Sequence, residues 1–187
     1  MKAFLMAGLL ACAMFSVSQC GVSLAADVPM MPKPEKEHEW LKAFVGEWEN
    51  EGECAMDPKN PQKCKGTETV KSLGGFWIVS EMKGDFGGMP ITGTMTLGYD
   101  ANKKKYVGTW VDSMTPLLWK YEGTVDSTGK ILTLESEGPN MLDPTKTCKF
   151  RDITEFKADG TRVAKNMMEG PDGKWITVMT MTATKKK

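Results

Sequence analysis

The stretch MTLGYDANKKKYVGTWVDS, residues 95–113, predicts two β-strands joined by a tight turn. Along residues 91–99 apolar side chains and glycine take one face and threonines take the other. Alternation with a period of two is typical of a strand with one buried face. The following DANKK, residues 100–104, carries the Asp and Asn that tight turns favour. Whether this hairpin also carries a functional site depends on four of its residues: Tyr99, Asp100, Trp110 and Asp112.

The same strand-and-turn pattern continues along most of the chain. Turn signals rich in Gly, Asp and Asn separate ten predicted strands, at residues 48–56, 64–73, 76–86, 90–99, 105–113, 117–125, 131–137, 147–157, 161–168 and 175–184. An open meander of ten antiparallel strands would leave two exposed edges, and closure into a barrel removes both. We therefore predict an all-β fold, a single up-and-down meander of about ten strands closed into a barrel. A barrel of this size tends to enclose a cavity.

One short helix precedes the strands. In EHEWLKAFVGEW, residues 37–48, four apolar residues fall on one helical face, and Gly46 ends the helix. We expect the helix at 37–45 to plug one end of the barrel. The longer connections, at 57–63, 87–89, 114–116, 138–146 and 169–174, gather at the opposite end, which we call the mouth.

The N-terminal residues have the pattern of a secretory signal. Residues 3–17 are uncharged, and Ser23 and Ala25 are the small residues that signal cleavage requires. The apolar run is shorter than the roughly 20 residues that span a bilayer. We predict a cleaved signal at 1–25, a flexible Pro-rich tether at 26–36 and a barrel domain at 37–187 in the periplasm or outside the cell, without a transmembrane segment. Gln19 precedes Cys20 where lipoprotein boxes need a small residue, which disfavours a lipid anchor there.

The charge balance of the chain argues against a nucleic-acid partner. Loss of residues 1–25 removes only Lys2 among the charged residues, so 23 basic and 24 acidic residues remain, and no nucleic-acid partner is expected.

Three cysteines remain after loss of residues 1–25, which in an oxidising compartment predicts one disulfide and one free thiol. Cys54 and Cys64 face each other across the first hairpin and are the favoured pair, although Cys148 lies at the same end and can replace either.

Several segments resemble known families. GEW at 46–48 resembles the Gly-x-Trp signature of lipocalins and other calycins, in which the Trp packs across the closed end of the barrel. LGGFWIVSE, GTMTLGYDANKKKYVGTWVDSM, EGTVDSTGKILTLE and GPDGK are similar to a secreted bacterial family known only as a domain of unknown function (number fifteen-seventy-nine), over about residues 38–184. The resemblance implies a calycin-like barrel, and it does not imply an activity. Haem-binding barrels resembling nitrobindin need a histidine on a late strand, whereas the histidine of this chain, His38, is on the helix, so haem is not expected. No other cofactor is expected either.

These observations favour a barrel that binds a small apolar or amphipathic molecule. We predict that the cavity is lined or rimmed by seven residues: Trp77, Phe86, Met95, Tyr99, Trp110, Asp112 and Trp119. Asp112 either orients a polar head group or ends its strand by bonding a neighbouring amide or hydroxyl. Calycins that bind fatty acids use an interior Arg, but alternation places Arg151 on the face opposite Phe150 and hence outside.

Two other classes of function compete with this interpretation. A carboxylate-dependent enzyme would use Asp112 with Glu81 or Asp152, since the chain has no nucleophile elbow, phosphate loop or His pair for a metal. A ligand-free interaction module would use the mouth loops and the disulfide. Cavity volume separates the binding barrel from the interaction module, because a filled barrel leaves no room for a guest. A second carboxylate near a buried Asp112 would favour the enzyme.

Overall fold

The structure is a computed structural model that describes residues 32–55 and 60–187. The predicted signal at 1–25, including Cys20, where a lipid anchor is disfavoured, and residues 26–31 of the tether lie outside the described residues. Two helical segments follow, an α-helix at Lys36–Trp40 (α1) and a 3₁₀ turn at Leu41–Phe44. Within the described ranges, neither segment reaches the length and hydropathy of a membrane-spanning helix.

Ten antiparallel strands form one closed barrel, as predicted. They are β1 (Gly46–Cys54), β2 (Gln62–Leu73), β3 (Trp77–Phe86), β4 (Met89–Asp100), β5 (Lys105–Asp112), β6 (Trp119–Val125), β7 (Ile131–Asn140), β8 (Asp143–Phe156), β9 (Arg162–Glu169) and β10 (Trp175–Lys185). Each strand pairs with the next along the chain, and β1 pairs with β10 to close the wall. Closure leaves no unpaired sheet edge.

The β7–β8 hairpin is longer than the sequence predicts. Residues 138–146, predicted as a mouth loop, are mostly strand, and the turn is reduced to Met141 and Leu142. Pro139 lies next to a shift in strand register, a position that tolerates proline within a sheet. The Oδ1 atom of Asn140 accepts a bond of 2.8 Å from the amide of Leu142 and so stabilises the turn. Proline and asparagine therefore mark a bulge and a tight turn here rather than a long loop.

The helical segment plugs the closed end of the barrel, as predicted. Leu41, Phe44 and Trp48 are buried together in the main apolar core. The indole Nε1 of Trp48 donates to the carbonyl of Phe44 at 2.8 Å, which joins the plug to the start of β1. Trp40 donates to the carbonyl of Gly129 in the β6–β7 turn at 2.7 Å. The tryptophan of the Gly-x-Trp signature thus lies where the calycin resemblance implies.

The turn of the opening stretch has a structural explanation. The carboxylate of Asp100 accepts bonds from the amides of Asn102 and Lys103, at 2.9 and 3.1 Å. Lys104 adopts a positive φ of 54°, which ends the turn and starts β5. Asp100 therefore builds the hairpin at the closed end of the barrel.

A disulfide joins the first hairpin at the mouth. Cys54 and Cys64 are bonded, with 6.2 Å between their Cα atoms, which confirms the favoured pairing. Cys148 is the free cysteine of the described residues. A disulfide is compatible with an extracytoplasmic location, where oxidising conditions preserve it.

Candidate functional site

The barrel interior is open rather than filled. A lobe of about 390 Å³ lies at the mouth, and a deeper lobe of about 370 Å³ reaches toward the plug. The two lobes share part of their lining, including Trp110, Trp119 and Met179. Small-molecule sites commonly measure about 300–1,000 Å³ and are mostly apolar. The cavity therefore has the size and character of a site for a small molecule.

Two glycines keep the wall open for the indoles. A Cβ atom at Gly93 on β4 would collide with the indole of Trp110, and one at Gly138 on β7 would collide with the indole of Trp119. Each indole therefore lies close against the wall over a position that has no side chain. Glycine is used in strands where such a close approach is needed. Several other inward positions on the strands are also small, among them Gly66, Ser80, Gly123, Ser136 and Ala164.

Five of the seven predicted lining residues lie around the cavity. They are Phe86, Met95, Trp110, Asp112 and Trp119. The other two lie elsewhere. Trp77 is on the outer face of β3, 39% exposed, with its ring over Gly98. Tyr99 points inward but lies below the cavity, where its ring contacts those of His38 and Tyr106. The structure therefore removes Trp77 and Tyr99 from the candidate lining.

Asp112 has a structural role at the end of β5. One carboxylate oxygen accepts a bond of 2.9 Å from Nε1 of Trp110. The other accepts bonds from the amides of Met114 and Thr115, at 2.8 and 2.9 Å. Asp112 therefore ends the strand and fixes the Trp110 indole, and both of its oxygens are engaged.

A buried ion pair forms the floor of the deeper lobe. Arg162 is only 6% exposed and pairs with Glu68 across the interior, while the hydroxyl of Ser80 donates to the same carboxylate at 2.6 Å. The guanidinium also lies 4.6 Å from the ring centre of Trp48. A buried charge needs such partners, because an unpaired one is costly. The charge of the interior arginine is thus paired with a carboxylate and stacked on an aromatic ring.

The sequence analysis did not find Arg162. Arg162 directly follows the turn ADGT, residues 158–161, and nothing in its local sequence distinguishes it from a solvated charge at the start of a strand. Arg151, the arginine that the sequence singled out, lies on the outer face as predicted. Its guanidinium bonds Glu135 at 2.7 Å and covers the ring of Trp175 at 4.1 Å.

A second polar group lies in the wall of both lobes. The Nδ2 atom of Asn166 on β9 donates to Oδ1 of Asp152 on β8 at 2.6 Å, and the Tyr121 hydroxyl lies beside the same carboxyl. Burial raises the pKa of the Asp152 carboxyl, although bonds from Asn166 and Tyr121 act in the opposite direction. Burial also raises the pKa of Tyr121, and the nearby charge of Asp152 adds to the effect.

Donors and acceptors around Asp152 are not balanced. The carboxylate requires a donor from Asn166, which fixes the orientation of that amide. The amide oxygen of Asn166 is then buried and accepts no hydrogen bond. An unpaired buried acceptor is uncommon and costs free energy. Within the described ranges, no three His, Cys, Asp or Glu side chains converge as they would around a metal ion.

The mouth carries an exposed apolar rim. It consists of Met89, Met114, Leu118, Met141 and Leu142, each between 41% and 56% exposed. These residues lie at the β3–β4, β5–β6 and β7–β8 connections. Met89, Met114 and Met141 also line the cavity. Apolar side chains of the rim therefore extend into the lining of the interior.

Comparison with known proteins yields a family and a fold. The family model described as "Protein of unknown function (DUF1579)" matches residues 33–185. Rv2717c from M. tuberculosis is structurally similar, with a TM-score of 0.62 and 12% identity, and the match covers 83% of this chain and 100% of that one. The S-type phycobiliprotein lyase CPES from Guillardia theta has a TM-score of 0.55 and 14% identity, with coverage of 83% and 99%. At these identities the likeness shows the fold alone. No curated protein matches the sequence.

Proposed function

The chain belongs to the DUF1579 family of proteins of unknown function, and we propose that this member binds one small apolar or amphipathic molecule inside its barrel. The observation that carries the proposal is the open interior, two joined lobes of about 390 and 370 Å³. The cores of folded proteins are packed to the density of organic crystals, so ordinary packing defects do not leave connected space of this size. We also propose that the protein acts outside the cytoplasm, which the N-terminal signal pattern and the Cys54–Cys64 disulfide support.

The lining favours an apolar body with one polar end. Indoles, Phe86 and several methionines form most of the surface, and methionine adapts to guests of irregular shape. The charged groups lie in three places: the Arg162–Glu68 floor, the Asp152–Asn166 pair in the wall and Asp112 near the mouth. The apolar rim gives such a guest a route from solvent or from a carrier.

The two other classes have less support. For an enzyme, Glu81 cannot act with Asp112, because Glu81 is exposed on the outer face of β3. Asp112 lines the same cavity as Asp152, but both of its oxygens already bind Trp110 and the following turn. A ligand-free interaction module does not need the connected interior space that this barrel contains.

Binding can be tested with a neutral apolar dye. Protein that has been unfolded, extracted with organic solvent and refolded is titrated with Nile red. We expect saturable binding at one dye per chain, with energy transfer from Trp110 and Trp119, which line the cavity. Replacing Ala164 by Trp puts an indole into the deeper lobe and should weaken binding at least tenfold, since Ala164 lines that lobe.

The control uses the same substitution on the other side of the wall. Val163 is the neighbour of Ala164 on β9 and faces outward. Val163→Trp should leave dye affinity within about threefold of the parent protein. Absence of saturable dye binding to the parent, or equal binding by folded Ala164→Trp and Val163→Trp, would contradict the proposal.

A further inference from the structure

The polar groups of the cavity indicate what kind of head group its guest carries. Resting on the function proposed above, we propose that the guest has a hydrogen-bond-donating head group, an amine or a hydroxyl, held by Asp152, and that it is not a carboxylic acid.

The inward charges are mostly acidic. Among the described lining residues, the charged side chains that face inward are Glu68, Asp112, Asp152 and Arg162. Lys165 contributes to the wall but is exposed and alternates with Ala164 and Asn166, so its side chain faces outward. One cation against three acidic groups gives an interior that disfavours an anionic guest.

The single cation is not available to an anion. Arg162 pairs with Glu68, lies against Trp48 and is 6% exposed. For it to bind a guest carboxylate, Glu68 would have to give up its main partner and remain buried. Breaking a buried pair in this way is strongly unfavourable. The floor of the deeper lobe is therefore neutral overall, with its positive charge already paired.

Asp152, in contrast, retains capacity to accept hydrogen bonds. An ionised carboxylate can accept about four, and the protein supplies donors from Asn166 and Tyr121. A guest that donates to Asp152 stabilises this ionised form against the effect of burial. The oxygen of Asn166 next to this carboxylate accepts no hydrogen bond. Acceptors thus outnumber donors at this point of the wall, and a guest with an N–H or O–H group corrects the imbalance. A carboxylate guest would add another acceptor beside Asp152 and worsen it.

A panel of three probes with the same chain tests the inference. Octylamine, octanol and octanoate are each used near neutral pH to displace Nile red from the extracted protein. We expect octylamine and octanol to bind at least tenfold more tightly than octanoate, which corresponds to one charge-assisted hydrogen bond gained or lost. Equal or tighter binding of octanoate would overturn the inference while leaving the proposed function intact. Failure of Nile red itself to bind would contradict the proposed function.

Two variants assign the preference to Asp152. Asp152→Asn keeps the shape of the side chain and removes its charge, so the preference for octylamine over octanoate should fall to within about threefold. Glu81→Gln removes one charge from the outer face of β3 and should leave the preference unchanged, since Glu81 does not face the cavity. If Glu81→Gln lowers the preference as much as Asp152→Asn, the effect belongs to net charge and the inference is wrong. Displacement of the dye by octanoate alone would also overturn it.

Discussion

Replacing Arg162 by methionine tests the role of the ion pair on the cavity floor. Methionine retains most of the aliphatic length but leaves Glu68, whose side chain is 15% exposed, with Ser80 as its remaining partner. Removing one member of a buried pair costs about 3–5 kcal/mol. At roughly 2–4 °C per kcal/mol for a domain of this size, the midpoint of thermal unfolding should fall by about 6–20 °C.

The matched control is the other arginine that pairs across strands. Arg151 lies on the outer face, and its pair with Glu135 is 32% and 60% exposed. Exposed pairs contribute about 0–1 kcal/mol, and the stacking on Trp175 adds a similar amount, so Arg151→Met should lower the midpoint by only a few degrees. Both variants are compared by circular dichroism during heating.

A double variant separates the orphaned charge from lost packing. Adding Glu68→Met to Arg162→Met removes the unpaired carboxylate and should recover most of the loss, because apolar replacements of buried pairs are often neutral. If Arg162→Met is no more harmful than Arg151→Met, Glu68 is not held by Arg162. The floor would then contain a cation free to bind an anionic guest, and the assignment of the head group would lose its basis.

Three further predictions concern the disulfide, the tyrosines and the glycine wall. Cys54→Ala with Cys64→Ala should lower the free energy of unfolding by roughly 2–3 kcal/mol in urea, since the bond closes a short loop; an unchanged midpoint would contradict this. Burial raises the pKa of Tyr99, Tyr106 and Tyr121 in the folded state, so their contribution to stability is present below about pH 10 and is lost as pH rises further. Phenolate absorbance should therefore rise together with the loss of β-sheet signal, and titration near pH 10 in a folded protein would refute it. Gly93→Val should displace the Trp110 indole, shifting tryptophan emission and weakening Nile red binding, whereas an unchanged affinity would show that the wall does not depend on this glycine.

Strand number and closure could be predicted from the sequence because both depend on local signals. Alternation identifies each strand, and Asp, Asn and Gly identify the turns between them. The main error in the fold, the β7–β8 connection, arose where Pro139 and Asn140 give the same local signal for a loop and for a bulge followed by a tight turn. Only the pairing of the two strands distinguishes these cases.

The site was predictable only in part, for a related reason. Trp77 and Phe86 stand an odd number of positions apart on β3, so they cannot both face inward, and choosing residues for their aromatic character overlooked this. Arg162 and Glu68 are 94 residues apart, and no local pattern relates them. The pair of Asp152 with Asn166 likewise depends on the β8–β9 register. Contacts across the barrel interior form only in the closed fold, so no local sequence pattern reveals them.

The most direct test of an interior binding site is to locate a labelled guest. A crystal of the protein grown with a long-chain alcohol that carries bromine at its far end would give an anomalous signal from the bromine alone. We predict one peak inside the barrel, between the indoles of Trp110 and Trp119 and the Arg162–Glu68 floor, with the hydroxyl near Asp152. A peak on the outer surface, or an interior filled by the protein's own side chains, would contradict the account.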